Sequence, residues 1–169
     1  MNDLDWLIAH EQIRQLASRY AIALDARDLH TLVGLFVDDV RVGRDRVGRD
    51  ALRESFAAQL RDLGVTILLV GNHVIDVIDD DHATGIVSCR GEIERGDEWI
   101  IQAIQYHDTY ERRDGTWQFV RRRHLLFYGA DVLERPIGLP LAHWPASATG
   151  KGDLPESLPT WQAFYDDLR

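Results

Sequence analysis

Asp25 stands at the end of a long helix-patterned stretch, five positions after Tyr20 and just before the chain breaks and restarts. The carbonyl end of a helix carries partial negative charge, so a carboxylate there is electrostatically disfavoured. With Ala21, Ile22, Ala23 and Leu24 around it, the neutral acid is favoured, which makes a group able to give and take a proton. The same position also suits a cap of the next turn or an ion pair with a surface arginine, and spacing leaves all three open. Tyr20, on the same helix, can donate its hydroxyl to a substrate oxygen or sit satisfied in the core. His73 is a candidate because imidazole is the commonest general base near neutral pH. Asn72 beside it can bind a substrate or satisfy the backbone near Gly71. His107 and His124 reach an interior only where a bulge shifts their strands. His10, His30, His82 and His143 read as surface or loop residues.

The bulk properties bound what such groups can serve. The 169 residues suit one domain with its own core, and 45% hydrophobic and 28% charged residues are ordinary for a globular chain. A formal charge of -9 argues against a general nucleic-acid binder, which needs a basic footprint. Arg121-Arg122-Arg123 is the one basic run. Its place in a strand-like segment between Phe119 and Leu125 suits ion pairing or a cavity wall better than a phosphate patch. Cys89 is the only cysteine, so neither an intrachain disulfide nor a thiolate zinc cluster is expected. No tight metal-ligand spacing, Walker loop, Gly-x-Gly-x-x-Gly or Gly-x-Ser-x-Gly elbow occurs, and no metal or cofactor is expected. The acidic start and the lack of a membrane-length apolar run make a soluble, cytoplasmic protein the expectation.

The elements that must position these groups change character along the chain. Leu4, Leu7, Ile8, Ile13, Leu16, Ala17, Tyr20, Ala21 and Leu24 recur at helical spacing, with a break expected near His10. Asp28 is placed to cap a second helix through Leu32 and Phe36, and Val40 to Val42 reads as a short strand. A third helix after Gly48 carries Leu52, Phe56, Leu60 and Leu63 on its buried face. After Gly64 the texture turns β-branched. Four strands are predicted, over Thr66 to Ile78, Ala83 to Glu94, Trp99 to Arg112 and Thr116 to Tyr128. Asp79-Asp80-Asp81, Arg95-Gly96-Asp97 and Arg113-Asp114-Gly115 make the turns. Helices followed by a run of strands argue an α+β fold. All five prolines lie between Pro136 and Pro159, in an irregular tail that ends with Trp161, Phe164, Tyr165 and Leu168 at helical spacing.

Ile13 to Asp28 (IRQLASRYAIALDARD), Gly71 to Ala83 (GNHVIDVIDDDHA) and Tyr106 to Phe119 (YHDTYERRDGTWQF), in this order and spacing, resemble the NTF2-like superfamily. Within it the chain is similar to the SnoaL-like branch that includes scytalone dehydratase and hexachlorocyclohexane dehydrochlorinase. The resemblance implies an NTF2-like cone, three N-terminal helices packed in a strongly curved antiparallel sheet, over residues 1–130. Residues 131–169 would form a Pro-rich tail with a short terminal helix, packed on the same domain or on a dimer partner. The open end of such a cone holds a small, largely apolar molecule. Asp25 falls at the acid position of the Asp–His pair in these enzymes, and Leu68 falls where their histidine stands. His73 lies at odd offset from Leu68, so a regular strand turns it away and puts Leu68, Val70 and Asn72 on one face. Tyr106 matches a cavity-facing polar position, and Arg122 matches a cavity arginine that can hold an anionic leaving group or neutralise Asp25. A homodimer is implied through the outer sheet face, with His73 and Trp99 on it.

The expected function is a cofactor-independent, dehydratase-like lyase. Asp25, Tyr20, Tyr106 and His73 are its catalytic candidates, and Asn72, Arg122, Leu68 and His124 would contact substrate. A ketosteroid isomerase-like isomerase, an epoxide hydrolase, and a non-catalytic ligand-binding or dimerising module are the alternatives.

Overall fold

The computed structural model describes residues 2–134 and 138–153, together with 156, 157, 159 and 162. Helix α1 runs unbroken over Asp3–Asp25, begun by Asn2, whose side chain accepts from the Asp5 N–H. The break expected near His10 does not occur. No proline or glycine interrupts this stretch, and the His10 ring folds back onto the Trp6 carbonyl one turn earlier, 3.0 Å away. Ala9, Ile13, Leu16, Ala17, Tyr20 and Ala21 form the buried stripe. Leu4, Leu7 and Ile8, at the start of the periodic run, are exposed.

The helix stops because Arg27 takes a left-handed φ of 59°, a conformation that costs any residue with a Cβ. Its guanidinium offsets this by donating to the Leu24 and Gly64 carbonyls and to the Thr66 hydroxyl. Asp28 then caps α2 (Leu29–Gly34) through the Thr31 N–H. A small hairpin follows, β1 (Arg41–Val42) with β2 (Arg46–Val47), of which the sequence pattern signalled only the first half. Helix α3 (Arg49–Leu60) is half-buried along Leu52, Phe56 and Leu60 rather than fully covered.

The rest is one antiparallel meander: β3 (Thr66–Val77), β4 (His82–Arg95), β5 (Glu98–Arg113), β6 (Thr116–Asp131) and a two-residue β7 (Gly150–Lys151), paired in that order. The hairpin between β5 and β6 turns on Asp114 and Gly115, both with positive φ, the twist that matches flanking strands. The sheet curves around α1, which packs chiefly on β3 and β6.

Two of the three register slips in this sheet decide which polar side chains face inward. The β3–β4 register slips between Val70 and His73, and the β5–β6 register slips between Thr109 and Tyr110. Each slip inserts one unpaired residue and reverses the alternation beyond it. On β3 the inward set is Thr66, Leu68 and Val70, then His73, Ile75 and Val77, while Gly71 and Asn72 are both exposed. On β6 it is Trp117 and Phe119, then Arg122, His124 and Leu126. The β3 slip overturns the expectation that His73 lies on the outer face with Asn72 inside.

Two apolar clusters fill the interior. One joins Ile13, Tyr20, Leu32, Phe36, Tyr110, Trp117 and Phe119; the other joins Ala17, Val87, Cys89, Ile104, Tyr106 and Leu126. The tail returns to the sheet, with Gly150 and Lys151 paired to Gly129 and Tyr128. Trp144 stacks on His124 at a centroid distance of 4.4 Å. The predicted terminal helix with Trp161, Phe164, Tyr165 and Leu168 lies outside the described residues. Among the described residues no helix is long and apolar enough to cross a membrane.

Candidate active site

An ion pair lies buried in the wall of the cone. Arg122 donates through Nε to Asp108 Oδ1 at 2.9 Å and through Nη2 to Oδ2 at 2.7 Å. The side chains are 4% and 0% exposed, respectively. Register explains the pairing, because Arg122 and Asp108 are direct cross-strand partners once the β6 slip has turned Arg122 inward. The guanidinium carbon sits 4.4 Å from the Tyr20 ring centre, 4.3 Å from Tyr106 and 4.4 Å from Phe119. Cations favour such faces, and a desolvated cage strengthens the attraction. Burial works against the charge of Arg122, but the Asp108 hydrogen bonds and charge outweigh it and hold the guanidinium firmly protonated. Its Nη1 is buried without a hydrogen-bond partner.

Asp108 also organises the next strands. Tyr110 donates its hydroxyl to Asp108 Oδ2 at 2.8 Å, and His73 Nε2 lies 3.2 Å from the same hydroxyl. His73 and Tyr110 meet across β4 because Gly85 between them has no side chain. A Cβ at Gly85 would lie 3.1 Å from the Tyr110 ring, 3.2 Å from His73 Nε2 and 3.0 Å from the Val74 carbonyl. His73 Nδ1 is buried and unpartnered. Burial drives the His73 pKa down to about 4, with Arg122, Arg14 and His10 pushing the same way and Asp108 opposing.

The remaining inward polar groups surround this core. Tyr20 is pushed up to about 12 by burial, against the pull of Arg122, so its hydroxyl stays protonated. Tyr106 is raised for the same first reason. His124 packs edge-on to Tyr106, has a buried, unpartnered Nδ1, and is held down to about 4 by burial and by Arg122. The interior therefore carries a fixed cation, neutral imidazoles and protonated phenols: groups able to accept a proton, donate one, and stabilise negative charge.

Asp25 sits elsewhere. Its Oδ1 accepts from the Thr66 hydroxyl at 2.9 Å and its Oδ2 from the Leu68 N–H at 2.8 Å, tying the end of α1 to the start of β3. No hydrogen bond or ion pair joins it to Tyr20, Tyr106 or Arg122 among the described residues. Arg122 neutralises Asp108 instead of Asp25. Leu68 lies inward and packs on both apolar clusters. Cys89, near Asp25, has its thiol pushed up to about 11 by burial, which makes it a poor nucleophile. His107 faces outward in a shallow groove with Arg121 and Arg123.

Asp108 and Tyr110 were not singled out from the sequence. Their signal was present in Tyr106-x-Asp108-x-Tyr110, three polar-tipped residues on one strand face beside an inward arginine. Among the described residues no group of three His, Cys, Asp or Glu side chains is placed to hold a metal.

The chain is similar to known proteins in sequence and fold. The γ-hexachlorocyclohexane dehydrochlorinase of Sphingobium indicum is 29% identical over 133 residues, 72% of this chain and 83% of that protein. The crystal structure of a hexachlorocyclohexane dehydrochlorinase from Novosphingobium barchaimii superposes with a TM-score of 0.67 at 27% identity, covering 80% of this chain and 97% of that one. A protein of Novosphingobium aromaticivorans, provisionally named a scytalone dehydratase, gives 0.67 at 25% identity, covering 79% and 96%. The family model described as a SnoaL-like domain matches residues 6–123, well over half of the sequence. The chain belongs to the SnoaL-like domain family.

Proposed function

We propose that the protein is a cofactor-independent lyase that eliminates a small leaving group from a small, largely apolar organic molecule. The observation that carries this reading is the buried Arg122 Nη1, a cationic donor without an acceptor inside an aromatic cage. A fixed donor in a dry site stabilises negative charge as it develops on an oxygen or a halide, without reorganisation. Tyr20 and Tyr106, kept protonated, supply further donors to a substrate oxygen or a departing hydroxyl. A positioned acid–base group contributes about 10²–10⁴-fold. Asp25 is one proton acceptor open to this reading, and His73 is the other. The same groups would serve an isomerase, by returning the proton to another carbon, or the opening of an epoxide. The dehydrochlorinase relatives support elimination.

A second reading, a non-catalytic ligand-binding or dimerising module, is favoured by one observation: both Asp25 oxygens are engaged by β3. In either reading a second copy would pack on the outer sheet face, where Ile67, Leu69, Val74 and Ile86 are exposed, and the setting would be cytoplasmic. The test is a substrate panel of γ-hexachlorocyclohexane, hydroxy-ketones, steroids and aromatic polyketides, with wild type and Asp25→Asn. Turnover of a panel member by the wild type supports the lyase. Binding without turnover across the panel favours the module.

A further inference from the structure

We infer that His73 is the general base of this site and that Tyr110 and Asp108 position it, with Nδ1 as the atom that takes the proton. The inference rests on the lyase reading and assigns its proton-accepting step. Its ground is a single directed chain of hydrogen bonds. Arg122 fills both oxygens of Asp108, which leaves that carboxylate an acceptor only. The one proton of the Tyr110 hydroxyl goes to Asp108 Oδ2. The Tyr110 oxygen must then accept from His73 Nε2, which fixes the proton of the neutral imidazole on Nε2. Nδ1 is left with a bare lone pair, buried and without a donor. Three local features of β3, β4 and β5 make this contact possible: the slip that turns His73 inward, the missing side chain at Gly85, and the inward direction of Tyr110.

The groups facing His73 are Asp108 and Tyr110 from β5, Arg122 from β6, and Arg14 and His10 from α1. Burial, helped by Arg122, Arg14 and His10 and opposed by Asp108, keeps the imidazole neutral at physiological pH, the form a base requires. In the step itself the substrate C–H bond breaks and its proton goes to Nδ1. The C–H electron pair becomes the new C=C π bond, and the leaving group departs with its own bonding pair, met by the Arg122 cation. A halide leaves as the anion while His73 returns its proton to water. A hydroxide takes the proton back from His73 and leaves as water.

The test uses the full chain, the panel above, and nitrogen-15 NMR of the histidines. His73→Gln is expected to lower kcat/KM for an active panel member by about 10²–10⁴-fold. At pH 7 the His73 spectrum is expected to show the Nε2–H tautomer. Tyr110→Phe, which keeps the ring and removes the hydroxyl, is expected to bring in the Nδ1–H form. A His73→Gln enzyme within about tenfold of an active wild type overturns the inference and leaves the lyase reading standing. An Nδ1–H or cationic His73 in the wild type at pH 7 overturns it whatever the activity. A wild type that turns over nothing removes the lyase reading, and the inference with it.

Discussion

Replacing Asp108 by asparagine tests the centre of the cone most directly. The carboxylate accepts two hydrogen bonds from Arg122, at 2.9 and 2.7 Å, and one from Tyr110 at 2.8 Å. Both members of the pair are out of water, at 4% and 0% exposure. The amide retains one acceptor oxygen, which in the better orientation keeps the Arg122 Nη2 and Tyr110 donors at the Oδ2 position. It turns its N–H groups toward Arg122 Nε and leaves the Arg122 cation desolvated without a counter-charge. Removing one partner of a buried pair costs about 3–5 kcal/mol. For a chain of this length each kcal/mol moves the melt by about 2–4 °C, so Asp108→Asn should melt about 6–20 °C lower. Thermal and urea denaturation at low and high salt measure it, and salt should change the loss little because the pair is shielded. Glu111→Gln is the control. It breaks a half-exposed bridge to Arg113 and should leave the melt almost unmoved. The double variant Asp108→Asn with Arg122→Met should recover part of the loss by removing the stranded cation. If Asp108→Asn lies within about 1 kcal/mol of wild type, no uncompensated charge was created, and the pairing inferred here is wrong.

Other outcomes follow from the same geometry. His73 and His124 are neutral in the fold down to about 4, against an ordinary 6.5. The unfolded chain therefore takes up protons first as the pH falls. Their contribution to stability is complete above about 6.5 and is lost between 6.5 and 4. His124→Gln should flatten the fall of the melting temperature across that window, and an unchanged slope would contradict the burial assigned to it. Gly85→Ala should cost about 1–3 kcal/mol by forcing His73, Tyr110 and the Val74 carbonyl apart; an unshifted melt would deny their close approach. Asp25→Ala strands the Leu68 N–H and should cost about 1–3 kcal/mol, with faster hydrogen exchange at that amide. Asp25→Asn, which keeps one acceptor oxygen, should cost less, and equal melts for both variants would rule out the tie between α1 and β3.

Much of the scaffold was legible because its cause is local. The stripe from Ile13 to Ala21, the Asp28 cap and the Asp-Gly hairpin each follow from a few neighbouring residues, and the four long strands begin and end close to where their turn signals placed them. The site was less legible because its cause is the register between strands. A regular alternation from Leu68 puts Asn72 inside and His73 outside, and only the extra residue after Val70 reverses this. The slip left a trace in the sequence. The apolar inward positions are even at Leu68 and Val70 and odd at Ile75 and Val77, which no regular strand allows. The same change of phase separates Trp117 and Phe119 from Leu126. Asp108 escaped notice for another reason. A lone aspartate in a strand reads as solvent-facing until its arginine is known to point inward.

The extra residue on β3 has a further consequence. Sliding it past His73 would reverse only the residues it passes, since the alternation on either side depends on its position alone. Leu68, Val70, Ile75 and Val77 would stay where they are, while Asn72 would turn in and His73 out. One strand thus encodes an imidazole-lined and an amide-lined interior over an unchanged apolar lining. A descendant of this chain could move between the two without replacing either residue, so the chemistry of the cone is inherited partly as a backbone phase and not only as side chains.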